Sequence, residues 1–105
     1  MKTENIFESI PEIIDDEVID LLVHNEKVKI ERIISKGHTS PATGWYDQEN
    51  DEWVLVLKGA AIIAFDIGDD INLETGDYVH IPAHTKHKVK WTDPAAETVW
   101  LAVYF

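Results

Sequence analysis

The chain has no cysteine, which excludes disulfides, thiolate metal ligands and cysteine nucleophiles and leaves its redox compartment unmarked. Cations are scarce too: nine lysines and arginines stand against twenty aspartates and glutamates, for a net charge of -11. Such a surface repels phosphate backbones and anionic headgroups, so neither nucleic acid nor a membrane surface is expected as a partner. The densest basic run, Lys86, Lys88 and Lys90, alternates along one stretch and reads as a solvated strand face. No apolar run approaches bilayer-spanning length, and the opening MKTENIFESIPEII has no apolar segment behind its lone lysine, so no signal peptide is read. A soluble, cytoplasmic protein is the expectation. Phosphate-binding glycine loops, nucleophile elbows and calcium-loop spacing are also missing.

What remains is the composition of a folded domain: 105 residues, 45% apolar, with four tryptophans, three tyrosines and three phenylalanines. Residues 1–105 are expected as one domain, with 1–16 as an N-terminal extension. In that extension Ser9, Pro11 and Glu12 predict a short helical turn capped by Ser9. A strand follows over about residues 17 to 23. VKIERII then alternates, with Val28, Ile30 and Arg32 opposite a wetter Lys29, Glu31 and Ile33. A loop rich in Ser, Gly, Thr and Pro runs from Ser35 to Gly44. The run WVLVLKGAAIIAFD gives two strands divided at Lys58 and Gly59, and short strands continue to the closing TVWLAVYF. Eight or nine short strands with little helix predict an all-β sandwich or barrel. Apolar positions left exposed on several strands predict a homodimer.

The stretch GDYVHIPAHTKHKVKW, Gly76 to Trp91, organises the rest. Strand period places His87, Val89 and Trp91 on one face there. On the preceding hairpin Glu52 shares a face with Val54 and Val56, and Tyr46 and Gln48 share another that could meet it. A carboxylate turned inward has to be paired, hydrogen-bonded, metal-bound or wet. One imidazole, one carboxylate, one amide and one phenol could hold a divalent ion (Zn, Fe, Ni or Mn), making Glu52, His87, Gln48 and Tyr46 the candidate ligands. The alternative is a metal-free polar network through the same groups. His38 in the loop after Gly37, His84 after Pro82, and Trp91 are candidate ligand-binding residues at the mouth, with His84 also able to meet a carboxylate.

Two motifs then carry a resemblance. Gly76, Pro82 and His87 are spaced as in glycine, five residues, proline, any residue, glycine, two residues, histidine, with His84 in the place of the second glycine and Trp91 where an asparagine would close the motif. Glu52 and Gly59 end the companion motif, whose two histidines fall on Tyr46 and Gln48 and whose opening glycine falls on Ser40. Over residues 28–105 the chain resembles small single-domain bacterial members of the cupin superfamily. The resemblance implies a jelly-roll β-barrel and a metal site with two of four ligands, Glu52 and His87, retained. It implies either a divalent-metal-dependent enzyme acting on a small molecule or a noncatalytic ligand-binding or sensing module.

Overall fold

Alternation decides which side chains turn inward, and the strands follow it. In a computed structural model describing residues 1–105, the order is β1 (Val18–His24), β2 (Lys29–Ser35), β3 (Glu52–Lys58), β4 (Ala60–Phe65), β5 (Ile71–Glu74), β6 (Tyr78–Ile81), β7 (His87–Thr92) and β8 (Thr98–Tyr104). All pairings are antiparallel, in a five-stranded sheet ordered β1-β2-β8-β3-β6 and a three-stranded sheet ordered β5-β4-β7. The segment before β3 extends the smaller sheet through bridges from Ser40 to Val89 and from Tyr46 to His87. The result is a jelly-roll barrel. No helix is long and apolar enough to cross a membrane.

Between the sheets Val54, Val56, Trp100 and Ala102 of the larger meet Ala61, Ile63 and Leu73 of the smaller. Each fully buried aliphatic side chain here is worth about 1.5–3 kcal/mol. The passage from β3 to β4 is tight. Gly59 has φ +105°, and a Cβ there would lie 2.5 Å from Thr98 Oγ1, so only glycine fits. Thr98 Oγ1 also bonds the backbone of Ala60.

Two expectations are corrected. No helical turn forms at Ser9 to Asp16. Ser9 has φ +56°, far from the extended conformation of a helix cap. Instead the buried Arg32 donates to the carbonyls of Ile6 and Glu8 and to Asp20 Oδ2 at 2.6 and 3.0 Å, stapling the N-terminal segment to the sheet. The wetter face of β2, with Lys29, Glu31 and Ile33, turns to the barrel cavity, while Arg32 and Ile34 on the other side are buried. Finally, a β-bulge interrupts β7: Ile62 pairs with Trp91 and Ile63 with Val89, leaving Lys90 over. Side-chain parity inverts beyond it, burying Thr92 and leaving Trp91 40% exposed, away from the face of His87.

Candidate functional site

The site lies where β3 begins and β7 begins. Tyr46 and His87 exchange backbone hydrogen bonds of 2.8 and 3.1 Å, which brings the loop before β3 against the start of β7. Glu52 sits opposite both Ile81 and Tyr104 in the larger sheet. Asp51 ties the neighbouring loops down: its carboxylate accepts from the Ala83 N–H at 3.0 Å and from His80 Nε2 at 2.8 Å, which holds its pKa below the ordinary carboxylate value. Its backbone also exchanges two hydrogen bonds with Phe105. The His84 N–H donates to the Gln48 carbonyl at 2.8 Å, joining the loop that carries Gln48 to the one leading to His87.

Held this way, His87 and Glu52 meet: Nε2 stands 3.0 Å from Glu52 Oε1, both side chains almost fully buried. On its other side His87 Nδ1 donates to the Thr85 carbonyl at 2.7 Å, fixing the ring's orientation. Burial alone would lower the His87 pKa. The hydrogen bonds to Glu52 and the Thr85 carbonyl and the Glu52 charge outweigh it, and the net shift is upward. His87 therefore holds its proton more tightly than a free imidazole. Tyr46 packs against the His87 ring with centroids 5.6 Å apart.

A cavity of about 230 Å³ opens in front of this pair. A space of this size holds several waters or one small organic molecule. Val54, Ile63, Ile81 and Val89 make an apolar floor, and the walls are polar, with Tyr46, Gln48 and Tyr104 beside the pair and Glu17, Ser40 and Glu31 elsewhere. Burial, followed by the Glu52 and Glu31 charges, pushes the Tyr104 phenol far above its ordinary range, and burial raises that of Tyr46. Both phenols stay protonated. Two buried atoms lack any hydrogen-bond partner: Gln48 Oε1, an acceptor, and Trp100 Nε1, a donor. A shallower groove of about 320 Å³ along the β1–β2 turn shares Lys29, Gln48 and Tyr104 with the cavity, which places these three between the interior and the outside.

Of the residues singled out in the sequence, Glu52, His87, Gln48 and Tyr46 all line this cavity. Trp91, His84 and His38 do not. Trp91 is turned out by the β7 bulge. His84 pairs with Asp47 at 2.8 Å in the open, with φ +60°, a left-handed conformation in which histidine replaces the motif's glycine. His38 accepts from the Lys36 N–H and donates through Nε2 to the Asp15 carbonyl, both at 2.9 Å, and so fastens the N-terminal segment. Sequence reasoning missed Glu17, Glu31 and Tyr104. The alternation Trp100, Ala102, Tyr104 on β8 was the signal for the last of them.

The donor set does not fit a resident metal ion. No three His, Cys, Asp or Glu side chains are grouped to share one. Beyond Glu52 and His87, which bond each other, the nearest groups are a protonated phenol and an amide.

Residues 32–104 match the family described as Cupin domain. The crystal structure of a presumed mannose-6-phosphate isomerase from Ralstonia eutropha JMP134 is 43% identical, covers 99% of this chain and 97% of that one, and superposes with a TM-score of 0.91. A cupin superfamily protein from Desulfitobacterium hafniense DCB-2 is 22% identical over 91% of this chain and 83% of that one, with a TM-score of 0.75. A cupin with a double-stranded β-helix fold from Methanocaldococcus jannaschii is 18% identical over 90% and 84%, with a TM-score of 0.72. These last two share the fold. No protein of curated function matches the sequence.

Proposed function

We propose a function from the premise that this chain belongs to the cupin family: as one domain over residues 1–105, its barrel binds a small hydroxyl-bearing molecule in the cavity before His87 and Glu52. The observation that carries this reading is the pair of unpartnered buried atoms, Gln48 Oε1 and Trp100 Nε1. Leaving a buried polar group unsatisfied costs about 1–3 kcal/mol each. A ligand hydroxyl both donates and accepts, so one such group, or a neighbouring pair, supplies what these atoms lack. The protonated phenols of Tyr46 and Tyr104 add further donors, and the apolar floor receives a carbon skeleton.

A second reading is an isomerase or related enzyme in which the His87–Glu52 pair moves a proton on the bound molecule. The Ralstonia relative's name and the 3.0 Å contact favour it. A phosphorylated substrate suits this cavity poorly. Its single lysine, Lys29, is already 3.8 Å from Glu31 Oε2 and lies over the Tyr104 ring.

Titration of the protein with mannose in excess chelator, read at the Trp100 indole N–H resonance, tests the binding reading. A saturable shift, weakened in Gln48→Leu, is expected. Neutral polyols that leave this resonance unmoved would overturn it. We also propose a homodimer formed along β1, an edge strand whose Ile19, Leu21 and Val23 are exposed, with light scattering in solution as the check.

A further inference from the structure

The charges lining the cavity do not cancel. It holds three carboxylates, Glu17, Glu31 and Glu52, and two groups able to carry positive charge, Lys29 and His87. These pair one to one: His87 with Glu52 at 3.0 Å and Lys29 with Glu31 at 3.8 Å. Glu17 is left over. Its side-chain partners are the hydroxyls of Ser35 and Ser40, at 3.4 and 3.5 Å, the outer limit of a hydrogen bond. It enters the cavity from the segment just before β1, and neither proposed role of the site uses it.

An uncompensated carboxylate in a partly dry cavity takes up either a proton or a cation. Burial does raise the Glu17 pKa, and the Ser35 and Ser40 hydroxyls and the nearby His38 ring offset it only in part. An acidic wall alone would not mark a site. The second observation is Trp100, 2% exposed and lining the same cavity, whose indole N–H has no acceptor. A ligand meeting both needs brings a cationic group for Glu17 and an oxygen for Trp100.

We propose that Glu17 docks a protonated amine, so that the cavity's ligand is a small amino alcohol or amino sugar. This rests on the binding reading above and sharpens it. The net charge of -11 assists, since it concentrates organic cations near the surface and disfavours anions of equal size. Phosphate esters, which need the cation this wall lacks, are excluded by the same arithmetic.

Three probes of similar size separate the possibilities: Tris, a cationic amino triol; pentaerythritol, its neutral analogue with a hydroxymethyl group in place of the amine; and glycerol phosphate. Each is titrated into the full-length protein near neutral pH, where an aliphatic amine is protonated, with binding read at the Trp100 indole N–H. The wild-type protein is expected to prefer Tris over pentaerythritol by about tenfold, the effect of one charge-assisted contact, and to leave glycerol phosphate unbound. Glu17→Gln should bring the Tris and pentaerythritol affinities together. Should that variant fold poorly, the Glu17 carboxyl carbon resonance of the wild-type protein reports the same contact, shifting with Tris and not with pentaerythritol. Equal affinities for the two, or tightest binding of glycerol phosphate, would overturn the amine while leaving the binding reading intact. A Tris preference that survives in Glu17→Gln, or a Glu17 carboxyl carbon that ignores Tris, would remove Glu17 from the role. Silence of Trp100 toward all three would overturn both readings.

Discussion

His87 Nε2 and Glu52 Oε1 are 3.0 Å apart, while the opposite ring nitrogen donates to the Thr85 carbonyl, so the imidazole has partners for two N–H groups and none for a bare lone pair. This contact joins the start of β3 to the start of β7 across the barrel mouth. It is also the most direct handle on the site's electrostatics.

Glu52→Gln keeps the shape and removes the charge. Burial is the largest influence on His87 and acts downward, so without the carboxylate its pKa is expected to fall below the ordinary 6.5. In the wild type the folded-state value lies above the unfolded one. The pair's contribution is then fully present below about pH 6.5 and fades as pH rises through the folded value. NMR titration of His87 with denaturant melts at several pH values checks both. The variant should lose roughly 2 kcal/mol at pH 6 and show a smaller loss at high pH. A loss equal at all pH values would contradict the ion pair.

Gln48 Oε1 is buried without a partner, so Gln48→Leu removes a desolvated acceptor instead of a made hydrogen bond. The unliganded variant is expected to gain about 1 kcal/mol in denaturant melts. Weaker binding of hydroxylated molecules should accompany the gain. Stability and binding moving in opposite directions is the signature of a group kept for a ligand.

If Tyr46 and Gln48 are what keeps a metal out, restoring imidazoles should admit one. The double variant Tyr46→His, Gln48→His places three imidazoles and a carboxylate on the same wall, a set suited to zinc or nickel. Elemental analysis after purification without chelator is expected to find near-stoichiometric metal in the variant and little in the wild type. Stoichiometric metal in the wild type, lost in Glu52→Ala and His87→Ala, would contradict the metal-free reading.

Much of this was visible in the sequence, because period-two alternation is a local property. Glu52 sharing a face with Val54 and Val56 needed only three residues of β3, and the structure buries all three. Trp91 was misplaced because one bulged residue, Lys90, inverts every side chain beyond it, and nothing in KVKW announces a bulge. Lys29 and Glu31 were read as wet because they are charged. Their face lines the open cavity. Glu17 escaped notice altogether, since its position in the barrel depends on Arg32 and His38 fastening the N-terminal segment from afar.

Gly59 and Gly68 share nearly the same backbone angle, φ +105° and +104°, but not the same surroundings. A Cβ at Gly59 would meet Thr98, including its Cα at 2.7 Å, while one at Gly68 meets nothing within 4 Å. Gly68→Ala should therefore cost only backbone strain, about 1 kcal/mol, and Gly59→Ala at least about 3 kcal/mol because the β3–β4 passage must also move off Thr98 of β8. Thermal melts of the two variants separate strain from collision. Equal costs would mean that the β3–β4 passage is looser than its geometry.

The last expectation concerns what Glu17 costs the empty protein. Its folded-state pKa lies above the ordinary 4.5, with burial the largest cause, opposed by Ser35, His38 and Ser40 and reinforced slightly by Glu31. A raised value means that the fold prefers the protonated acid, so the stability linked to this group is complete below about pH 4.5 and declines as pH rises through the folded value. The ionised carboxylate is a net burden to the fold. Glu17→Gln should consequently be more stable than the wild type at pH 7, with the advantage shrinking toward pH 4 as the wild-type side chain takes up its proton. Paired denaturant melts across that range measure it. An advantage that failed to grow with pH would show that Glu17 is hydrated well enough to need no counterion, and the reason for expecting a cationic ligand beside it would go with it.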